Sequence, residues 1–455
     1  MPIQIKRGLD IPLVGKPNST VEDISPSPIC TVYPREFEKM KKRLLVKEGD
    51  LVQRGSPLFL DKKNPAFTFC SPVAGTVKHI ALGPRRVYER IEIEAVQKDQ
   101  PLTFPTFSIA QIAALSREEA LSLLQKSGLL ALIRQRPFSR DANPNAKPKS
   151  IFVNAMSTAP FQAEARTVLQ GQEAAFQAGL NVLTRLTEGK VHLCAAESDK
   201  DSVPALSQAK NVTIHTFQGP HPSGNSSVHI HHIDPIQKGD VVWTIRAVDL
   251  VLIGRLLLEG AWPSTRIVAL GGPGVKPEAR KHYRVRIGTP LSHFLAGKLE
   301  DGEQRVIGGD VLSGAALARD SSLRFFDSSM TVIPEDRERQ FLGWLAPGWT
   351  FYSRSKTFLS AWFRKNRSWT MGTNMHGDPR PMILTGLYDR YLPMNIMVDF
   401  LVRAVLAHDV DEAIQLGILE TDPEDFALCS YICPSKMDIS GIIRQGLEEI
   451  EKEGL

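Results

Sequence analysis

The feature that most constrains this chain is a change of hydrophobic period near residue 105. Before it, short Val/Ile/Leu runs are punctuated by turn signals at "VGKPNS", "KEGD", "QRGSP", "KKNP", "SPVAG" and "LGPRR", the pattern of short β-strands joined by tight turns. After it, apolar strands alternate with longer amphipathic stretches. "SREEALSLLQKSGLLALI" carries a helix start at Ser116 with Glu118 and Glu119 in the first turn. "SIFVNAM" reads as a strand, "PFQAEARTVLQGQEAAFQAGLNVLTRL" as one long helix, "KVHLCAAE" as a strand, "VPALSQA" as a helix and "NVTIHTF" as a strand. Strand–helix alternation implies a doubly wound, Rossmann-like α/β layer structure. From about 256 two apolar strands flank a Gly/Pro turn in "STRIVALGGPGVKPEARKHYRVRIG", and from 380 the pattern is helical.

The expectation is therefore a multidomain α/β plus β chain. Residues 1–104 form a β unit, 105–255 an α/β unit, 256–330 a small α+β unit, 331–379 a connecting segment and 380–455 a helical unit. Within the first unit, "VKEGDLVQRGSPLFL" and "SPVAGTVKHI" pair β-turns with small residues, as barrel-sandwich domains of the biotinyl/lipoyl type do. Those domains modify a lysine at a hairpin tip, and "LDKKN" offers Lys62 and Lys63. The stretch from Gly55 to Asp61 is short for that hairpin, and Lys63 leads into Asn64-Pro65 rather than a strand. An exposed polar turn is expected there.

The 455 residues are 42% hydrophobic and 23% charged, enough to build a core without disulfides. Five scattered cysteines fit a reducing compartment. The longest apolar tract, "VVWTIRAVDLVLIGRLLLEGAW", is broken by Arg246, Asp249 and Arg255, so no spanning helix is expected. The N-terminus lacks the apolar segment of a secretory signal. A net charge of +5 comes without a nucleic-acid-binding motif. The basic-apolar stretch "FEKMKKRLLVKEG" (37–49) makes Lys39, Lys41, Lys42 and Arg43 candidates for a partner or membrane surface, against the plainer reading of a solvated face.

Five of the 11 histidines fall between His215 and His232, and imidazole is a common metal ligand. Were "SVHIHHID" a strand, His229 and His231 would share one face, with His215 or His221 as a third ligand. Asp234 is the only nearby acid and no cysteine is close. The expectation is a structural role, in a loop entering a strand, with His229 and His231 kept as metal candidates. "CSYICP" holds Cys429 and Cys433, but an iron–sulfur cluster needs four thiolates, so packing between helices is expected. "GGPGV" and "IGGDVLSG" match neither dinucleotide nor P-loop fingerprints, and no nucleophile elbow is present. The residues alone present no self-contained catalytic site.

Taken in order, "IKRGLDIPLVGKP", "VKEGDLVQRGSPLFLDKKNPAFTFCSPVAGTV", "FQGPHPSGNSSVHIHHIDPI" and "LCSYICPSKMDISGIIRQGLEEIEKEG" closely resemble the A-subunit family of sodium-translocating NADH:quinone oxidoreductases (Na(+)-NQR), from end to end. The resemblance implies a barrel-sandwich hybrid domain, a Rossmann-like domain and an SLBB/β-grasp-like α+β domain. Rnf-type C subunits and the flavin-binding NADH subunit of complex I share the α/β domain, where a glycine-rich loop cradles flavin. The matching positions here are "GLLALIRQRPFS" (128–139) and "VNAMSTAPF" (153–161). Only Gly128 survives of those glycines, and the side chains would block the backbone approach a phosphate needs. The family also implies a degenerate iron–sulfur motif at Cys429 and Cys433, and no metal at the histidines.

The resemblance implies a peripheral subunit on the cytoplasmic side of the bacterial inner membrane. Its partners would be the other subunits of a complex that oxidises NADH, reduces ubiquinone and exports sodium, with flavins and iron–sulfur centres on those subunits. The isolated chain is not expected to be catalytic, and no residue identifies a ubiquinone contact. A scaffold without quinone, a stand-alone flavin enzyme and an Rnf-type C subunit are the rivals.

Overall fold

The computed structural model describes residues 1–38, 40–99, 101–338, 341–363 and 368–454. A β-barrel sandwich is built from two sheets. One holds strands Ile29–Val32, Tyr88–Ala95, Gly75–Leu82 and Leu51–Val52; the other holds Lys42–Leu44, Pro57–Asp61 and Asn64–Cys70. Its interior is aromatic, with the Phe37 and Phe69 rings 4.0 Å apart and Phe59 stacked on Phe69 at 4.7 Å. Lys62 and Lys63 form the tip of the hairpin between Pro57–Asp61 and Asn64–Cys70 and are exposed. The exposed turn is as expected, but Asn64-Pro65 does begin a strand. Pro65 is tolerated because Lys42–Leu44 and Pro57–Asp61 leave Asn64–Cys70 an edge strand of the sheet.

The α/β unit carries a seven-stranded sheet. Its order is Ile3–Gln4, Thr213–Gln218, Lys190–Ala196, Ser150–Ala155, Val242–Arg246, Arg134–Arg136 and Arg140–Asp141. The first five are parallel and the last two antiparallel. Helices Glu173–Leu186 and Ala247–Glu259 pack against each other on one face through glycines. A Cβ at Gly254 would lie 1.7 Å from the Ala175 carbonyl oxygen, so only glycine permits that approach. The single long helix expected over 160–186 is two: Ala165–Val168 and Glu173–Leu186, separated at Gly171, whose φ is +69°. A left-handed glycine ends the first turn and redirects the chain.

The third unit is a six-stranded mixed sheet: Ala315–Leu317, Gln304–Gly308, Ser329–Pro334, Thr265–Gly271, Lys281–Arg286 and Val21–Asp23, with the short helix Leu291–Phe294 over it. The tail packs helices Val398–Leu406, Val410–Gln415, Ala427–Ile432 and Ile439–Glu453 around Leu401, Val402, Ile443 and Leu447.

The first 24 residues run past several units. Ile3–Gln4 joins the α/β sheet, Leu9 N–H donates to His221 O at 2.8 Å, Gly8 N–H to Arg390 O at 3.1 Å, and Val21–Asp23 edges the six-stranded sheet. No helix among the described residues is long and apolar enough to cross a membrane.

Candidate functional site

In an open parallel sheet the ligand crevice lies outside the carboxyl ends of strands at the point where their order reverses. Here that point falls between Ser150–Ala155 and Val242–Arg246. The loop "GPHPSGN" occupies it. Asn154 donates its amide to Gly224 O at 2.7 Å, and Gly224 N–H donates to the Thr158 hydroxyl at 3.0 Å. A Cβ at Gly224 would sit 2.6 Å from that hydroxyl oxygen. The loop is a plug, and its glycine is required by how closely it seats.

The plug leads into a helix, Ser226–Ile233, and not into a strand. This overturns the shared face expected for His229 and His231: two residues apart on a helix they diverge by about 200°. His229 is wholly buried, and its Nε2 donates to Ser223 O at 3.0 Å, closing the plug on itself. Its Nδ1 faces no polar partner, and burial pushes its pKa down to about 3. His232 Nδ1 donates to Val228 O at 2.9 Å. These two bond backbone, as expected. His231 does not: its Nε2 accepts from Asn395 N–H at 3.3 Å, so Nδ1 donates to Glu420 Oε2 at 2.7 Å. His221 Nδ1 lies 3.1 Å from the Thr158 hydroxyl, and His215 pairs with His192 at 3.0 Å. Among the described residues no group of three or more His, Cys, Asp or Glu is placed to hold a metal.

The stretch matched to the flavin cradle takes a different form. Gly128, at φ +75°, ends the helix Arg117–Ser127, and a Cβ there would lie 2.7 Å from Thr68 O of the barrel. Leu129–Leu132 form a short buried 3-10 turn, and the chain continues as the strand Arg134–Arg136. Arg136 is 1% exposed. Its guanidinium donates to Asp422 Oδ2 and Ser227 Oγ, both at 2.8 Å, and to Glu420 O at 3.3 Å. Beside it Asn225 donates to the buried Asp425 carboxylate at 2.9 Å, and burial raises the Asp425 pKa. These residues do not fit a flavin. The backbone cradle is replaced by leucines, and the buried Arg136 is already bonded to the acidic turn and to Ser227 of the histidine helix.

Three stretches far apart in sequence thus meet: 128–139, the histidine helix and the turn 420–425. They floor a groove of about 1370 Å³ between barrel, α/β unit and helical tail, reached by Phe67, Arg117, Phe138, Arg246, Glu424 and Arg444. Several of its charges are matched to each other: Arg134 to Asp141, Arg140 to Glu451 and Arg246 to Asp249. Sequence reasoning missed Arg136, Asp422 and Asp425. Nothing local marks a pairing across 286 residues.

Cys429 and Cys433 are buried in the helical tail, and burial raises the Cys429 thiol pKa. Cys433 Sγ lies 3.0 Å from the Tyr388 hydroxyl. Of the basic candidates, Lys39 lies outside the described residues. Lys41 and Arg43 are exposed, whereas Lys42 is half-buried; burial lowers its pKa, while Glu38, Asp141 and Asp61 oppose that shift.

Comparison with known proteins follows this geometry domain by domain. Family models match in chain order: the NqrA N-terminal barrel-sandwich hybrid domain at residues 3–96, the NqrA second alpha/beta domain at 115–262 and the NQRA C-terminal domain at 267–319. The A-subunit of the Na(+)-translocating NADH-quinone reductase from Yersinia pestis is 39% identical over 453 residues, 99% of this chain and 100% of that protein. The chain belongs to this NqrA family. The NqrA protein from Pasteurella multocida is 40% identical over 453 residues and that from Klebsiella pneumoniae 39% over 456, each covering 99% of this chain and all of its own length. The resemblance read from four motifs therefore holds for the whole length. An NAD+-reducing [NiFe]-hydrogenase overlaps 52% of each chain at 13% identity and a TM-score of 0.35, too distant a likeness to carry function.

Proposed function

We propose that this chain is a peripheral subunit of a membrane-bound Na(+)-translocating NADH-quinone reductase, held on the cytoplasmic side of the bacterial inner membrane by its partner subunits. The complex couples NADH oxidation and ubiquinone reduction to sodium export. This chain works without its own flavin or iron–sulfur centre, those being carried by the partners. The observation that carries this reading is the closed switch-point crevice in a chain of the NqrA family: the plug around Gly224 and the buried Arg136 stand where a redox cofactor would need an open backbone cradle.

Within the complex, the interdomain groove is the place we assign to partner or ubiquinone contact. A second reading, a scaffold that binds partners and no quinone, is favoured by the groove's ion-paired walls. The enclosed apolar cavity beside Phe37, Phe69 and Trp262 holds only about 20 Å³, room for about one water and not for a quinone ring.

The test is a pull-down. The tagged chain, recovered from gently solubilised membranes of its native cells, should bring membrane flavoproteins and sodium-stimulated NADH:quinone reductase activity. Recovery as a lone chain without activity would break the reading. Titrating the isolated chain with a short-chain ubiquinone separates the two readings: saturable binding supports quinone contact and its absence supports the scaffold. A flavin absorbance band in the purified chain would revive the stand-alone redox enzyme.

A further inference from the structure

Residues 339–377 contain no Asp or Glu, but hold Arg339, Arg354, Lys356, Arg364, Lys365 and Arg367 and four of the chain's six tryptophans. Much of what is apolar here faces outward. Phe341 is 93% exposed, Trp362 72% and Phe363 71%, with Trp349 and Leu345 also exposed. Monomeric surfaces seldom show such a concentration of large rings.

The rings are held in place by the fold of the segment. Leu359 N–H donates to Pro347 O at 3.0 Å and the Ser360 hydroxyl to Phe351 O at 2.5 Å, closing a compact loop. Gly348, at φ +66°, lets Phe358 pack directly on the turn; a Cβ there would lie 2.3 Å from that ring. The Trp349 and Phe363 rings sit 5.6 Å apart at the loop's outer side. The body of the protein anchors the inner side: Trp369 N–H donates to Pro12 O at 2.6 Å, Val14 N–H to Trp369 O at 3.0 Å, and Arg354 lies 5.1 Å over the Tyr391 ring.

We propose that this loop, 341–363, seats the chain on the anionic phospholipid surface of the membrane; the inference rests on the peripheral-subunit reading above and names the part of the chain that touches lipid. Indole and phenyl rings partition into the headgroup boundary, and Lys and Arg beside them meet lipid phosphate. The absence of any acid from residues 339–377 complements that surface. It complements the cytoplasmic loops of a spanning protein poorly, because those loops are themselves enriched in Lys and Arg. The contact is interfacial, since no described helix is long and apolar enough to span.

Sedimentation of the purified full chain with vesicles tests it. Phosphatidylcholine vesicles containing one-third phosphatidylglycerol should bind the chain at least tenfold more strongly than pure phosphatidylcholine. Trp349→Ser/Trp362→Ser/Phe363→Ser should lose at least tenfold on the anionic vesicles while keeping its thermal midpoint, because the rings are exposed. Lys356→Gln, at an exposed position of the loop, should narrow the difference between the two vesicle types. Equal, weak binding of the wild-type chain to both vesicles overturns the proposal, as does full binding by the ring variant. If the wild type ignores vesicles while the ring variant fails to recover membrane subunits in the pull-down, the loop is a protein-docking face and the lipid proposal is wrong, yet the subunit reading stands. A wild-type chain that recovers no membrane subunits fails that reading separately, whatever the vesicles show.

Discussion

Arg136 shows how much one buried charge can decide. It spans the strand edge of the α/β unit, the histidine helix and the acidic turn of the helical tail through bonds of 2.8–3.3 Å. Arg136→Ala would leave the Asp422 and Asp425 carboxylates facing each other without a cation. Removing one partner of a buried pair costs about 3–5 kcal/mol, so the urea midpoint should fall accordingly. Arg136→Lys should recover little, because an ammonium lacks the planar fork that reaches Asp422 and Ser227 together. A loss under about 1 kcal/mol in either variant, the scale of an exposed pair, would show that the bridge is dispensable. His229 makes a second residue-scale prediction. Its pKa is pushed down to about 3 by burial, and that of His192 to about 4 by burial and by His215. A base whose folded pKa is depressed takes its proton more readily in the unfolded chain. Its contribution is therefore complete above pH about 6.5 and is lost as pH falls through the window down to the folded value. Glu36, raised to about 8 by burial and by Asp327, acts in the opposite sense, eroding stability as pH rises from about 4.5. Comparing wild type with His229→Phe isolates the histidine: the variant's unfolding free energy should depend less steeply on pH between about 4 and 6.5. Parallel curves would show that His229 is not the group titrating.

At the scale of elements, strand–helix alternation was legible because two periods, 2 and 3.6, each have a buried face to specify. The barrel was legible from its turns. The histidine helix was not. "SVHIHHID" alternates apolar and polar residues like a strand, yet Val228, His229 and Ile230 are all wholly buried, because the helix lies between sheet and tail. Its N-terminal Asn225 spends its side chain on Asp425 rather than on a cap, which no local rule anticipates. The plug and the cradle position were visible as motifs and the acidic turn was not, and the convergence of the three depends on contacts between residues up to 286 positions apart. The crossing of Glu173–Leu186 and Ala247–Glu259 gives a test at this scale. By helix propensity alone Gly254→Ala should stabilise by about 1 kcal/mol. Its Cβ, however, would meet the Ala175 carbonyl oxygen at 1.7 Å and the adjacent backbone at 2.6 Å, and backbone cannot rotate away. The helices must separate, and overpacking of this kind costs about 1–3 kcal/mol. A chemical-denaturation series should find the variant destabilised; a gain would mean that the two helices can part without loss.

At the scale of the molecule, the units are joined by shared cores and by the first 24 residues. One apolar cluster runs from the barrel into the α/β sheet, and another from that sheet into the helical tail. The six-stranded sheet keeps a core of its own around Val268, Tyr283, Phe294 and Val332; it meets the α/β unit through the small cluster of Ala269 with Ala163 and Val168 and through the Arg266–Asp249 pair, and the N-terminal strap ties it further. There Gly15 packs against Gly272, where a Cβ would fall 2.4 Å from backbone, Gly272 N–H donates to Gly15 O at 2.9 Å, and Val21–Asp23 pairs in parallel with Lys281–Arg286. The strap also touches the plug through Leu9 and the tail through Gly8. A chain whose units share cores unfolds cooperatively, whereas a unit with its own core and a severed link unfolds independently. Deleting residues 1–24 should therefore split the calorimetric transition, with residues 265–334 melting apart from the rest, while the barrel and α/β unit stay coupled through their common core. Hydrogen exchange would place the early transition in Thr265–Gly271 and Lys281–Arg286, the latter being the strand that loses its partner at the edge. A single, merely lowered transition would instead mean that the strap adds stability without setting how the units are coupled.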